Sequence, residues 1–152
     1  ATLYNYFKDI NELVFLCVSD FQVECSNFIA GQTEKSARGM EKISMIVMSY
    51  MKYFLEYPGI FDLFYLEKVG DFGNNQQIID IIGRSLPEVC EAEWNYCIET
   101  KLITKERAEL LNSRLTYIVV GLLLFYLNRR TPKDYQEFLD EAKKQVDEVL
   151  AN

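Results

Sequence analysis

Apolar residues recur along the first part of the chain at Ile10, Leu13, Val14, Cys17, Val18, Phe21, Cys25, Phe28 and Ile29. Spacings of three and four put them on one face of a long helix. Asp9 stands before this stripe and Glu12 three positions later, the pattern of a capping box. Gly31 and the polar run "GQTEKSARG" end the helix. A second helix is predicted from about Met40 to Tyr57, with Ile43, Val47, Tyr50, Met51 and Phe54 on one face. Met45, Met48 and Tyr53 widen that face, so this helix is expected to be buried on more than one side. Pro58-Gly59 stops it.

The segment "IFDLFYLEKV" reads as a short apolar helix and "GDFGNN" as a loop. Gln76 to Leu102 is helical but interrupted, because Gly83 and Pro87 lie within it. Ser85 with Glu88 could restart it as a second capping box. Thr104 is the expected cap of a helix that carries the most apolar run of the chain and ends near Arg129-Arg130, where cations suit a helix C-terminus. Thr131-Pro132 has the form of a fresh start, a cap followed by proline at the first helical position. The last helix then stripes Tyr135, Phe138, Leu139, Ala142, Val146, Val149 and Leu150 against a charged face. No segment has strand periodicity. The pattern predicts an all-α fold of about six helices.

Composition sharpens this picture in three places. With 7 Gly and 3 Pro in 152 residues, the chain has few of the breaks that a sandwich or barrel needs. A net charge of -7 argues against nucleic-acid binding by this region alone, because phosphate contacts need clustered Lys and Arg. With 10 Tyr and 10 Phe, aromatics exceed what a small helical core needs, so some are candidates for a cavity or an interface.

Candidate chemistry is thin. His is absent, which excludes Ser-His-Asp and Cys-His catalysis within the chain and His-ligated zinc. Cys17, Cys25, Cys90 and Cys97 form no C-x-x-C pair and read as buried thiols of a reducing compartment. No phosphate loop or paired-carboxylate motif is present, and no enzyme activity or cofactor is expected. The longest apolar run, "YIVVGLLLFYL", has 11 residues, short of the ~20 that span a bilayer. These features predict a cytoplasmic protein with no membrane partner.

The opening "TLYNYFKDINEL" resembles the junction, in TetR-family transcriptional regulators, between the DNA-recognition helix and the long helix after it. The family pattern is roughly Leu-Tyr, any residue, His or Tyr, Phe, a short turn, Lys and a Leu-rich helix. Leu3-Tyr4, Tyr6-Phe7, the turn at Lys8-Asp9 and Leu13 match it. The motif is short, and the expected long amphipathic helix, bundle and two final helices follow it. The resemblance implies that residues 1–8 are the end of a helix-turn-helix DNA-binding domain, with about forty residues of it upstream of Ala1. Residues 9–152 would be the ligand-binding and dimerisation domain. Thr2, Tyr4, Tyr6 and Lys8 match family positions that contact DNA phosphates, contacts that position a protein without reading sequence. The Lys usual near the start of the following helix falls at Ile10.

The resemblance further implies a homodimer, a DNA operator and a small-molecule effector. For the largely apolar effector the candidates are Met48, Met51, Phe54, Phe61, Tyr65, Trp94 and Tyr117, with ordinary core packing as the competing role. Glu93 reads as a solvated carboxylate; facing inward it would need a partner, which a cationic ligand could supply. For the dimer, the candidates are Ile118, Gly121, Leu122 and Phe125, joined by Phe138, Ala142 and Val146 of the last helix. The first four sit on a helix apolar nearly all round, which must be covered on most sides. Gly121 carries a helix penalty of about 1 kcal/mol but admits a close neighbour. Ligand binding would shift the first long helix and so the spacing of two recognition helices. The alternative is a helical protein-interaction module without a small ligand.

Overall fold

A computed structural model describes residues 10–67 and 76–152. Seven α-helices form its described part: α1 (Ile10–Thr33), α2 (Met40–Glu56), α3 (Pro58–Phe61), α4 (Gln76–Gly83), α5 (Ser85–Glu99), α6 (Lys105–Leu127) and α7 (Tyr135–Ala151). A π-helical turn, Asp62–Leu66, continues α3. The all-α expectation holds. The count exceeds six because the interrupted segment divides into α4 and α5; the expected short apolar helix is present as the four-residue α3, which begins at Pro58, with the π-helical turn after it.

The centre of the bundle is α2. Ile43, Ile46, Val47, Tyr50, Met51 and Phe54 are buried on it, and its neighbours are α1, α3, α5, α6 and α7. Fully burying one such side chain stabilises the fold by about 1.5–3 kcal/mol. α1 contributes a narrower seam of Val18, Gln22, Cys25, Ile29 and Thr33, at helical spacing with a polar residue in second place. Ile10 and Phe28 of its expected apolar stripe are exposed. α7 docks on α2 through buried Phe138, Ala142 and Val146, and Ser44 donates a hydrogen bond to Asp147 at 2.9 Å.

The ends of the helices correct the sequence reading in two places. Thr104 does cap α6, its Oγ1 accepting from the Arg107 amide at 3.2 Å. Ser85, by contrast, caps nothing. It is the first residue of α5 behind Arg84, and its hydroxyl turns into the core. Thr131-Pro132 does not start α7. The cap is Asp134, which accepts from the Glu137 amide at 2.8 Å, while Glu137 reaches back to the Lys133 amide at 2.7 Å. That reciprocal pair satisfies free amides more fully than a Thr-Pro start could. The capping pair predicted at Asp9 and Glu12 begins outside the described residues.

Glu93 is the third correction. It is 3% exposed and lies across from the start of α2. Gly39, the residue before α2, has φ +94°, a conformation that favours glycine, and donates its amide to Glu93 Oε2 at 3.0 Å. Arg38 Nε lies 3.2 Å from Oε1, Lys42 Nζ lies 3.8 Å from it, and the Arg38 guanidinium stacks 4.2 Å from the Tyr96 ring centre. The carboxylate therefore has internal partners and caps a helix from a neighbouring element.

α1 and α6, with 24 and 23 residues, are long and apolar enough to cross a bilayer by length and composition. The 11-residue run is only part of α6, so its shortness does not exclude a span. A core helix of a soluble bundle passes the same test.

Candidate ligand site

One polar chain runs through the apolar centre. Gln22 of α1, Tyr50 of α2, Ser85 at the head of α5 and Tyr65 on the π-helical turn meet there. Gln22, Tyr50 and Ser85 are buried, while Tyr65 is half-buried and outermost. Ser85 Oγ donates to Gln22 Oε1 at 2.6 Å, and Gln22 Nε2 donates back to the Ser85 carbonyl at 3.2 Å. Tyr50 donates to Ser85 Oγ at 2.7 Å, and the Tyr65 hydroxyl sits 2.5 Å from that of Tyr50.

The protons of this chain run in one direction. A carbonyl only accepts, so the Gln22 amide nitrogen must face the Ser85 carbonyl and its oxygen must face Ser85 Oγ. Ser85 spends its single O–H on that oxygen, and Tyr50 spends its own on Ser85. Tyr65 is left as the donor to Tyr50. Among the described residues no buried side-chain nitrogen or oxygen lacks a partner. Each bond contributes about 1 kcal/mol net, and leaving one buried member unmet costs about 1–3 kcal/mol. Burial pushes Tyr50 well above the ordinary phenol range and Tyr65 up to about 12, so both stay protonated donors near neutral pH.

Aromatic rings close around this chain. Phe54 lies with its ring centre 4.9 Å from Tyr50, 6.1 Å from Phe61, 5.6 Å from Phe64 and 5.8 Å from Tyr65. Phe61 and Tyr65 are 5.4 Å apart. The edge-on and tilted arrangements are the ones aromatic quadrupoles favour. Cys25 lies on the same seam of α1 as Gln22, and burial pushes its thiol up to about 12, as it does Cys90. All four thiols are free. A thiol held protonated at neutral pH is a poor nucleophile and a poor metal ligand.

No protein family, characterised protein or solved structure matches this chain.

The predicted ligand residues divide into three groups. Phe54, Phe61 and Tyr65 meet in the aromatic cluster, and Met48 and Met51 are buried on α2. Trp94 belongs elsewhere. It donates its indole N–H to Asn112 at 3.1 Å and lines an open groove of about 200 Å³ between α5 and α6, with Pro87, Ile98 and Ala108. Tyr117 is 77% exposed on the outer face of α6 and is no cavity wall within the single chain. Gln22 and Ser85 escaped the sequence reading. Gln22 lies within the apolar stripe of α1, at helical spacing from Val18 and Cys25, and that position was the available signal.

The predicted dimer residues divide too. Phe138, Ala142 and Val146 are fully buried against the chain's own α2 and α6, so they have no surface left for a second copy. Ile118 and Leu122 are half-buried, Phe125 is 56% exposed, and a Cβ built on Gly121 meets nothing within 4 Å. Thr2, Tyr4, Tyr6 and Lys8, offered as DNA contacts, lie outside the described residues.

Proposed function

We propose that this chain is the ligand-binding and dimerisation region of a TetR-like transcriptional repressor, working in the cytoplasm without a cofactor. Its bundle takes a small, largely apolar effector, and its DNA operator is bound through an N-terminal helix-turn-helix domain of which residues 1–8 are the end. The observation that carries this reading is the hydrogen-bonded pair of Gln22 and Ser85. It ties α1, the helix that follows the recognition-helix motif, to the aromatic cluster of α2 and the π-helical turn. A ligand that disturbs the cluster pulls on α1 through Gln22. Half-sites lie about 34–36 Å apart or at multiples of that, so a shift of a few ångströms between two recognition helices breaks their register.

The dimer part rests on the outer face of α6, where Tyr117, Gly121 and Phe125 are open and Leu110 is also exposed. A two-fold axis along such a helix pairs the face with itself. A second reading, a helical interaction module with no small ligand, is favoured by one observation: the polar chain is fully satisfied by the protein itself.

The test has two arms. The coding sequence upstream of Ala1 should show a helix-turn-helix pattern, and the full-length protein should retard its own promoter fragment in a gel, with release by an apolar effector. An upstream sequence of another class, or retardation that no effector relieves, would reject the regulator or its ligand respectively.

A further inference from the structure

The half-buried Tyr65 is the one member of the polar chain that solvent reaches, and the rest of the chain fixes what can take its place. Tyr50 has given its proton to Ser85, so the group opposite it must donate. Around the Tyr65 ring stand Phe54, Phe61 and Phe64. Among the described residues, the cluster's hydrogen-bond and ring partners include no Lys or Arg. An ionised carboxylate in that seat would present acceptors to an acceptor and find no counter-charge. A neutral aromatic hydroxyl would find both a donor's partner and an aromatic wall. Tyr65 is itself such a group, delivered by a π-helical turn, a geometry that is rare and concentrates at functional sites. Returning that turn to α-helical register would replace i→i+5 by i→i+4 hydrogen bonds, shift the register by one residue and rotate the Tyr65 ring about the helix axis, out of its seat.

We propose that the Tyr65 side chain occupies the seat of the effector, and that the effector is a neutral phenol. It displaces the Tyr65 ring from among Phe54, Phe61 and Phe64 and donates its O–H to Tyr50. This deepens the ligand-binding reading above and rests on it. No bond is made or broken; one phenol replaces another, and the strain falls on the π-helical turn. Because Tyr50, Ser85 and Gln22 form one chain, the exchange is felt in α1.

The wild-type chain is titrated by calorimetry with p-cresol, its methyl ether 4-methylanisole, and p-toluate. Circular dichroism checks the fold of each variant. The wild type is expected to bind p-cresol about tenfold more tightly than 4-methylanisole, the worth of one hydrogen bond, and to bind p-toluate more weakly still. Tyr65→Gly removes the competing ring and is expected to tighten p-cresol binding at least about tenfold, since burial of an aromatic ring is worth more than one such factor. Should that variant unfold, Tyr65→Phe keeps the ring but loses the donor, and p-cresol binding tightens by a smaller factor. Tyr50→Phe, with the fold retained, is expected to lose the preference for p-cresol over its ether. Equal binding of the two by the wild type, a preference that survives Tyr50→Phe, or no p-cresol binding at all overturns the proposal. Binding of p-toluate or 4-methylanisole in preference to p-cresol overturns the phenol while leaving a ligand-binding bundle standing.

Discussion

Glu93 shows how much of a residue's role lies in a partner distant in sequence. Its neighbours along α5 give no hint that Gly39, 54 positions earlier, hands it an amide. Removing the carboxylate leaves that amide unpaired at a buried helix start, while Arg38 and Lys42 turn to solvent. Breaking a buried charge pair costs up to about 3–5 kcal/mol, but Arg38 is half exposed, so the lower figure for one unmet buried donor applies. Glu93→Ala is therefore expected to destabilise the fold by about 2 kcal/mol, and Glu93→Gln by about half of that because an amide oxygen still accepts from Gly39. Urea unfolding of both variants checks the order; an unchanged midpoint for Glu93→Ala would remove the cap from the account. Gln22 and Ser85 teach the same lesson. Each was visible as a polar residue at a core position or a helix start, but their pairing spans 63 residues and no local pattern encodes it.

Helical periodicity located the long elements because it reports burial directly. α2 is the clearest case, since its apolar residues cover more than one side and the helix proves central. The same periodicity misjudged α7. A clean stripe of Phe138, Ala142 and Val146 says that something covers it, not whether the cover is the same chain or a second one; here it is α2 and α6. The face of α6 that stays open was harder to see, because a helix apolar nearly all round has no marked outer side. Gly121 offers a test with opposite signs for the two possibilities. An added methyl meets nothing within 4 Å in the single chain, so Gly121→Ala should stabilise an isolated monomer by about 1 kcal/mol through helix propensity. If a second α6 crosses there, the same methyl separates the helices and weakens the dimer. Sedimentation equilibrium should then show a dissociation constant raised several-fold, alongside a higher urea midpoint for the monomer at low concentration. A dimer as tight as the wild type would move the interface away from Gly121.

The whole molecule is stapled at its centre by groups that must stay protonated, and this sets its response to alkali. Free thiols ionise near about 8.5 and phenols near about 10. Burial pushes Cys25, Cys90 and Tyr65 each up to about 12 in the folded chain, and Tyr50 and Tyr53 well above the phenol range. Below the unfolded values both states hold these protons, and pH has no effect on stability through them. Above those values the unfolded chain binds fewer protons than the native one, so stability falls with rising pH until the folded values are passed. Urea midpoints should hence be level from pH 7 to about 8, decline from about 8.5 as the unfolded thiols ionise, and fall more steeply above about 10 as the phenols follow. Replacing Cys25 and Cys90 by Ala lowers the starting midpoint by leaving small cavities, yet it should flatten most of the first decline and leave the second; burial raises Cys97 too, and the remainder of the first decline is its share. Tyr65→Phe should shallow the second and leave the first. Midpoints that stay level to pH 11 would mean that the bundle opens to admit solvent to Tyr50 and Tyr65 without unfolding. In that case, the closed centre would be one of two states in exchange, and the open one would be the state through which the proposed effector enters.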